Sequence, residues 1–418
     1  MIQWPQVPLG ELGVWRGGGT PSKTRPDFWE EGTIPWLSPK DMCGQVVRAT
    51  RDHITPSALD LSPAKLVAAG SVAVVVRSGI LERTIPVSLV PFATALNQDM
   101  KALSPRPDVD ARWIAWGLRA FESQLLRTAR KAGTTVASLE WSRVLNYPLP
   151  LPPLDEQRRI VDILEDHLSR LDAAERALNT AAHRLRILKF STLESLMSTS
   201  TDEHGPLRDL VNRIEAGRSF GGSAGPADLD GWGIIKVSAM TWGSFRPTEN
   251  KAVPEEMVDL RYEIRPGDLL VSRANTSAYV GASVLVGETR PRLLLSDKSL
   301  RIVPNDDVDS EWLNMALSTP STRRQISARA TGTKDSMRNI SQGALLSLEI
   351  PHPPLAVQRA VANTITVDVH AFQQAASGVQ TALTRSAALR RALLSAAFSG
   401  HLTGRTSDEN RVEELAGV

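Results

Sequence analysis

The sequence predicts an α+β protein, with two pseudo-symmetric mixed α/β globules separated by two long antiparallel coiled-coil helices. The first supporting observation is internal repetition. Pro152-Pro153-Leu154-Asp155-Glu156-Gln157-Arg158-Arg159-Ile160 recurs as Pro353-Pro354-Leu355-Ala356-Val357-Gln358-Arg359-Ala360-Val361, an offset of 201 residues. Gly133-Thr134-Thr135 matches Gly332-Thr333-Lys334, and Pro8-Leu9-Gly10-Glu11-Leu12 matches Pro206-Leu207-Arg208-Asp209-Leu210, at offsets of 199 and 198. Three anchors at nearly one offset make the chain two copies of a unit of about 200 residues. The second observation is an abrupt change of texture at each double proline, from short apolar runs to helical periodicity. The third is that residues 154–204 contain neither proline nor glycine.

The elements follow in order. Residues 1–150 form the first globule, where runs such as Val72-Ala73-Val74-Val75-Val76 between Gly, Pro and Asn signals read as short strands and turns. Residues 151–204 form the first long helix, with apolar residues at Ile160, Leu164, Leu168, Leu171, Ala174, Leu178, Ala181, Leu185 and Leu188. Steps of three and four over that length give one amphipathic helix. Residues 205–350 form the second globule, with strands expected at Ile234–Val237 and Asp268–Ser272. Residues 351–402 repeat the helix through Val361, Ile365, Val369, Phe372, Ala376, Val379, Leu383, Leu389, Leu393 and Ala397. The double prolines are start signals and Gly400 a stop. Residues 403–418 are a tail. Helices so connected pair antiparallel if they pair; a run of about 45 residues spans roughly 65 Å at a rise of about 1.5 Å per residue. The alternative is that each helix folds back on its own globule, and the small alanines along the seam favour the coiled pair.

Composition narrows the chemistry. With 418 residues, 42% hydrophobic and 22% charged, the chain has enough material for two or three cored domains, which excludes disorder and collagen-like structure. Cys43 is the single cysteine, so intramolecular disulfides and cysteine-rich metal or redox motifs are excluded and a reducing, cytoplasmic setting fits. The opening MIQWPQVPLGELG lacks a basic segment followed by an apolar run, and no uninterrupted run of eighteen apolar residues occurs, so a soluble, unexported protein is expected with no membrane partner. Basic against acidic residues number 17 and 13 over 1–150, 7 and 10 over 151–204, 18 and 18 over 205–350, and 6 and 5 over 351–418. No part is strongly basic, so any DNA affinity must come from placed residues, a partner, or both. A phosphate-binding Gly-x-x-x-x-Gly-Lys-Ser/Thr loop and an Asn-Pro-Pro-aromatic tetrad are both missing. Phe220-Gly221-Gly222 follows no apolar strand, and the seven histidines, His53, His167 and His204 among them, form no His-x-x-x-His pair. Glu30-Glu31, Glu255-Glu256 and Asp306-Asp307 fall in polar surroundings that suit solvated loops better than acid–base dyads. A non-catalytic chain with no metal of its own is expected.

Particular motifs carry a resemblance. The first globule contains Gly18-Gly19-Thr20-Pro21-Ser22-Lys23, then Gly32-Thr33-Ile34-Pro35-Trp36-Leu37-Ser38-Pro39-Lys40-Asp41-Met42 and Thr94-Ala95-Leu96-Asn97-Gln98-Asp99. The second contains Ile234 to Trp242, Arg265-Pro266-Gly267-Asp268-Leu269-Leu270-Val271-Ser272-Arg273-Ala274-Asn275-Thr276, Ser296-Asp297-Lys298-Ser299 and Lys334-Asp335-Ser336-Met337-Arg338-Asn339-Ile340-Ser341. With the Pro-Pro-Leu-x-x-Gln-Arg helix openings and Ala396-Ala397-Phe398-Ser399-Gly400-His401-Leu402, these resemble, over residues 5 to 402, the specificity subunit of type I restriction-modification systems. Each globule then resembles a target-recognition domain, the second of a different subtype. The second helix lacks the acidic residues of Asp155-Glu156, and Ser191-Thr192-Leu193 stands where the later copy has Ala-Ala-Phe. Those departures bear on whether both helices meet partners alike.

The resemblance implies a subunit that reads a bipartite, asymmetric target in double-stranded DNA, one half-site per globule, across an unread spacer set by the helices. Roughly 65 Å is about two turns of B-form DNA. It implies two modification subunits that bring S-adenosylmethionine and methylate adenine, and restriction subunits that use ATP and Mg, with no cofactor in this chain. Candidate DNA-contacting residues are Thr20, Ser22, Lys23, Lys40, Arg77, Arg130, Lys131 and Thr134 in the first globule. In the second they are Lys236, Trp242, Arg273, Asn275, Thr276, Lys298, Lys334, Ser336 and Arg338. Base edges are read by fixed donors and acceptors while phosphate contacts set register. For Asn275 and Thr276 the competing reading is a strand-end turn held by short polar side chains. Trp36, Trp113, Trp116, Trp141 and Trp232 are expected in cores. Partner-facing candidates are Glu156, Gln157, Arg159, Gln358 and Arg359. The competing functions are a protein-binding scaffold, a methylation-only phage-defence specificity subunit and a concealed nuclease.

Overall fold

In the computed structural model, which describes residues 4–131, 136–220, 225–241, 243–335 and 337–402, strand pairing repeats from copy to copy. One four-stranded antiparallel sheet runs in the order Gly13–Gly17, Met100–Pro105, Ser71–Val75, Val87–Val90. Its counterpart runs Val211–Ala216, Ser299–Pro304, Leu269–Ser272, Ser283–Leu285. In a second sheet, Ile34–Leu37 lies between antiparallel Asp52–Ile54 and parallel Thr94–Leu96. Gly233–Ile235 lies likewise between Asn250–Ala252 and Leu293–Leu294. The valine-rich strand Ser71–Val75 is buried at every residue, which is why it reads as a continuous apolar run without alternation. Gly18 and Gly217 lie where the two sheets approach. A Cβ on Gly18 would sit 2.1 Å from the Asn97 carbonyl oxygen, and one on Gly217 would sit 2.1 Å from that of Ser296. Only glycine fits there.

Helices follow each sheet pair: Ala111–Ala120, Glu122–Ala129 and Trp141–Leu145 in the first copy, Ser310–Ser318, Pro320–Arg329 and Gln342–Leu346 in the second. Asp110 caps its helix by accepting from the Arg112 amide at 2.7 Å, and Asp309 does so from the Trp312 amide at 2.9 Å. Pro148–Pro150 pairs with Gln6–Pro8, and Glu349–Pro351 with His204–Pro206, tying each copy's beginning to the residues before its long helix. Trp36, Trp113 and Trp116 are buried, and Trp141 and Trp232 half-buried.

The long helices span Leu154–Ser198 and Leu355–Phe398. Gly400, at φ 74°, stops the second, and the amides of His401 and Leu402 return to the Ala396 carbonyl at 3.0 and 3.2 Å. The chain divides into two compact units, Met1–Leu178 with Thr381–Val418, and Asn179–Gln380. The divisions fall inside the helices and not at the double prolines, because each helix end belongs to a globule's core. Ile160, Val161, Leu164 and Leu168 share one core with Leu393, Ala397 and Phe398. Leu193 and Met197 share the other with Ala362 and Ile365.

Within the first unit the two helices run antiparallel. Ser386 donates to Glu175 at 2.7 Å, and Arg390 pairs with Asp172 and, at 3.7 Å, with Glu175. The seam there is partly ionic. Ala174, Leu188 and Ala376, expected on the apolar seam, are exposed. Leu171, Leu178, Ala181, Leu185, Phe372, Val379 and Leu383 are half-buried, so the expected stripe continues along each helix with those three interruptions. Among the described residues no helix is long and apolar enough to cross a membrane, and no cluster of metal-binding side chains occurs.

Candidate nucleic-acid interface

In the first unit, the Gly18-Gly19 turn leads into a cleft of about 710 Å³ whose lining includes Lys23, Trp29, Trp36, Lys40, Asn97 and Asp99. The Trp29 indole donates to the Ser22 carbonyl at 3.0 Å and the Trp36 indole to that of Gly19 at 3.1 Å, so two rings position the loop carrying Thr20, Ser22 and Lys23. Thr20 is half-buried, with its hydroxyl against the amides of Gln98 and Asn97. Ser22 is exposed and bonded to the Thr24 hydroxyl at 2.8 Å. Lys40 is exposed on the turn Pro39–Asp41, which Ser38 and Asp41 close as a reciprocal cap. Arg77 pairs with Asp99 at 2.9 Å and bridges Ser138, which in turn opposes Lys131. Arg77, Arg130 and Lys131 therefore share one edge, where Arg130 also donates to the Glu82 carbonyl at 3.3 Å. Thr134 lies outside the described residues.

In the second unit, Ala274–Asn275, Met337–Asn339 and Thr331–Lys334 form a three-stranded sheet that gathers several candidates. Arg273, Lys298 and Lys334 are exposed. The Arg273 amide donates to the Lys298 carbonyl at 2.8 Å, which places those two residues side by side. Two expectations need correction. Arg338 is not a free reader, because its guanidinium closes the hairpin on the carbonyls of Gly332 (3.0 Å) and Ala330 (2.7 Å). Asn275 is spent on a turn, donating to the Ser272 hydroxyl at 3.2 Å and accepting from the Thr276 amide at 2.8 Å, the competing reading for that segment. Gly332, at φ 124°, is required because a Cβ would meet the Met337 carbonyl oxygen at 2.6 Å. Lys236 is half-buried at the start of Val237–Met240. Trp242 and Ser336 lie outside the described residues.

The two arginines that follow the central strands are not equivalent. The amides of Val76 and Arg77 both donate to the Asp99 carbonyl, whereas those of Arg273 and Ala274 donate to that of Lys298. Leu139 then bonds back to Val76, and Ile340 to Arg273. Arg273 thus aligns with Val76, and Arg77 with Ala274. Successive residues of extended chain point to opposite faces. The two units therefore present their strand-end arginine from different positions.

Along the helices, the partner-facing reading of Gln157 and Gln358 is overturned: both are buried. Gln157 accepts from the Asp110 amide at 2.9 Å and donates to the carbonyls of Pro152 (2.8 Å) and Asp108 (3.2 Å). Gln358 accepts from the Asp309 amide at 2.8 Å and donates to those of Pro353 (2.8 Å) and Asp307 (3.4 Å). Each amide staples the helix start to the loop before the capped helix. Arg359 is exposed, 3.9 Å from Asp309, and its true counterpart is Arg158, 3.9 Å from Asp110. Arg159 pairs with Glu156 at 3.5 Å and aligns with Ala360.

A duplicated chain of sheet pairs and long helices defines the fold, and residues 1–182, less than half of the chain, match the family described as the type I restriction modification DNA specificity domain. It is 43% identical over 164 residues to the EcoR124I/EcoR124II specificity subunit of Escherichia coli. That match covers 39% of this chain and 40% of the relative, so the chain spans two fifths of the relative's length. Over 96% of the chain, its fold superposes with TM-score 0.74 and 18% identity on 99% of a chain from a structure reported for the assembly and conformational transition of the type I R-M system. The HsdS subunit from Thermoanaerobacter tengcongensis superposes with TM-score 0.56 and 20% identity, covering 96% of this chain and 97% of that one. At those identities the superpositions speak for the fold.

Proposed function

We propose that this chain is the DNA sequence-recognition subunit of a type I restriction-modification complex, reading a bipartite, asymmetric target with one globule per half-site. The observation that carries this is the duplication itself: the same two sheets in the same order, with different side chains on the loops at their ends. Identical readers related by a two-fold axis match a palindrome, whereas diverged ones match two different half-sites. The offset between Arg77 and Arg273 and the exchange of Asp99 for Lys298 are such divergences. The long helices set the unread spacer. Two modification subunits, carrying S-adenosylmethionine and methylating adenine, dock on the chain, and the exposed Arg158 and Arg359 beside their capping aspartates are the repeated features available to them. Restriction subunits using ATP and Mg join that assembly. The chain itself supplies addressing and no catalysis, in the cytoplasm.

Methylation mapping of a methylation-deficient host carrying this chain with its modification subunit tests the reading. A new two-part adenine-methylated motif is expected, and Arg273→Ala should relax one half only. A soluble complex that leaves no motif would move the weight to a protein-binding scaffold.

A further inference from the structure

Asp99 ends the Thr94-to-Asp99 motif but is not among the candidate DNA-contacting residues, and its surroundings give it a task that rests on the DNA-reading function above. Its Oδ1 is buried and lies 2.9 Å from Nε of Arg77. The Arg77 side chain is 60% exposed and that of Asp99 24%. The carboxylate meets the arginine at Nε and not at the terminal guanidinium nitrogens. No hydrogen bond to other described residues holds them. Asp99 lines the cleft that Lys23, Lys40 and Asn97 also line. Donor and acceptor thus stand side by side, the acceptor in the lining of the cleft. In the major groove a G·C pair presents the same alternation in reverse, with guanine N7 and O6 accepting and the adjoining cytosine N4 amino group donating.

We propose that Arg77 and Asp99 together read one G·C base pair in the first unit's half-site, Arg77 on guanine and Asp99 on cytosine. The second unit is built differently at the aligned position, where Lys298 replaces Asp99 and lies next to Arg273. Two cations offer donors only, so this aligned pair reaches guanine or phosphate oxygen and itself holds no acceptor for cytosine. The swap of one residue between the copies makes their half-sites chemically unlike.

Methylation mapping of the complex with Asp99→Ala and, separately, Arg77→Ala tests this. Both variants should lose preference at the same single position of one half-site, by about 5- to 150-fold, the range set by one good base contact. Asp99→Glu should restore preference at that position, and Lys298→Ala should act in the other half. Relaxation at different positions, at every position of the half, or at none would overturn the proposal. The unaltered chain separates the two levels of failure, since a complex that writes no motif at all refutes the DNA-reading function itself.

Discussion

Gln157 and Gln358 show what a single side chain decides here. Each satisfies one amide and two carbonyls that the fold has removed from water, and an unsatisfied buried group costs about 1–3 kcal/mol. Gln157→Leu should therefore destabilise the first unit by roughly 2–3 kcal/mol, and Gln358→Leu the second by a similar amount, read from urea unfolding of each variant. Undiminished stability together with loss of partner binding would return both residues to the interface. The helix-start motif was legible in the sequence, yet its glutamine reads as one more polar residue on an exposed turn. The signal that separates it is the chain's own duplication: Asp155-Glu156 becomes Ala356-Val357 while glutamine and the following arginine stay. Asp99 was unreadable for the opposite reason, because its meaning depends on Arg77, 22 residues away and brought alongside by strand pairing.

Elements were legible where local chemistry fixes them. Proline before and glycine after framed both long helices, the first without an internal glycine and the second with Gly378 inside it, but sheet order did not follow, because Gly13–Gly17 pairs with Met100–Pro105 across the whole intervening sheet. Seam positions are buried at Ile160, Leu164, Leu168 and Leu393, half-buried at Leu171, Leu178, Leu185, Val379 and Leu383, and exposed at Ala174, Leu188 and Ala376. Leu393, fully buried, should cost about 2–4 kcal/mol when changed to alanine, while Leu188, 53% exposed, should change stability by less than about 0.5 kcal/mol. Equal losses would place Leu188 in the packed seam as well. In the second unit's larger sheet, Arg301 stands between Glu215, at 2.9 Å on one side, and Asp268, at 3.0 Å on the other. Burial raises the carboxyl of Asp268 above its ordinary range despite Arg301. Burial also opposes the charge of Glu215, yet Arg213 and Arg301 hold its carboxyl below the ordinary range. The signs differ accordingly. As pH falls through the raised value, Asp268 takes up a proton in the folded state first and its contribution to stability grows. As pH falls further, below the ordinary glutamate range, the unfolded chain takes up the proton that Glu215 refuses and stability is lost. The urea midpoint of the second unit should show both limbs, and Glu215→Gln should remove only the more acidic one.

At the scale of the whole chain the governing fact is a net charge of +2 over 418 residues. Each phosphate neutralised contributes about −0.9 to the slope of log affinity against log salt. If Lys23, Lys40, Arg130, Lys131, Arg273, Lys298 and Lys334 all met phosphate, the chain alone would reach a slope of about −6, and the acidic residues interspersed among them make a smaller value the expectation. Non-specific attraction of that size does not hold a subunit on DNA at physiological salt. Under the proposed function, the remaining positive potential would come from the modification subunits, making assembly and DNA binding one coupled event. Fluorescence anisotropy with labelled target DNA between about 50 and 200 mM salt measures this. The isolated chain should bind weakly with the shallower slope, and the complex tightly with a steeper one. Arg273→Ala should flatten the slope of either by about 1 if that arginine meets phosphate, and leave it unchanged while relaxing one half-site if it meets a base. Equal slopes for chain and complex would mean that these few exposed cations provide the whole electrostatic grip.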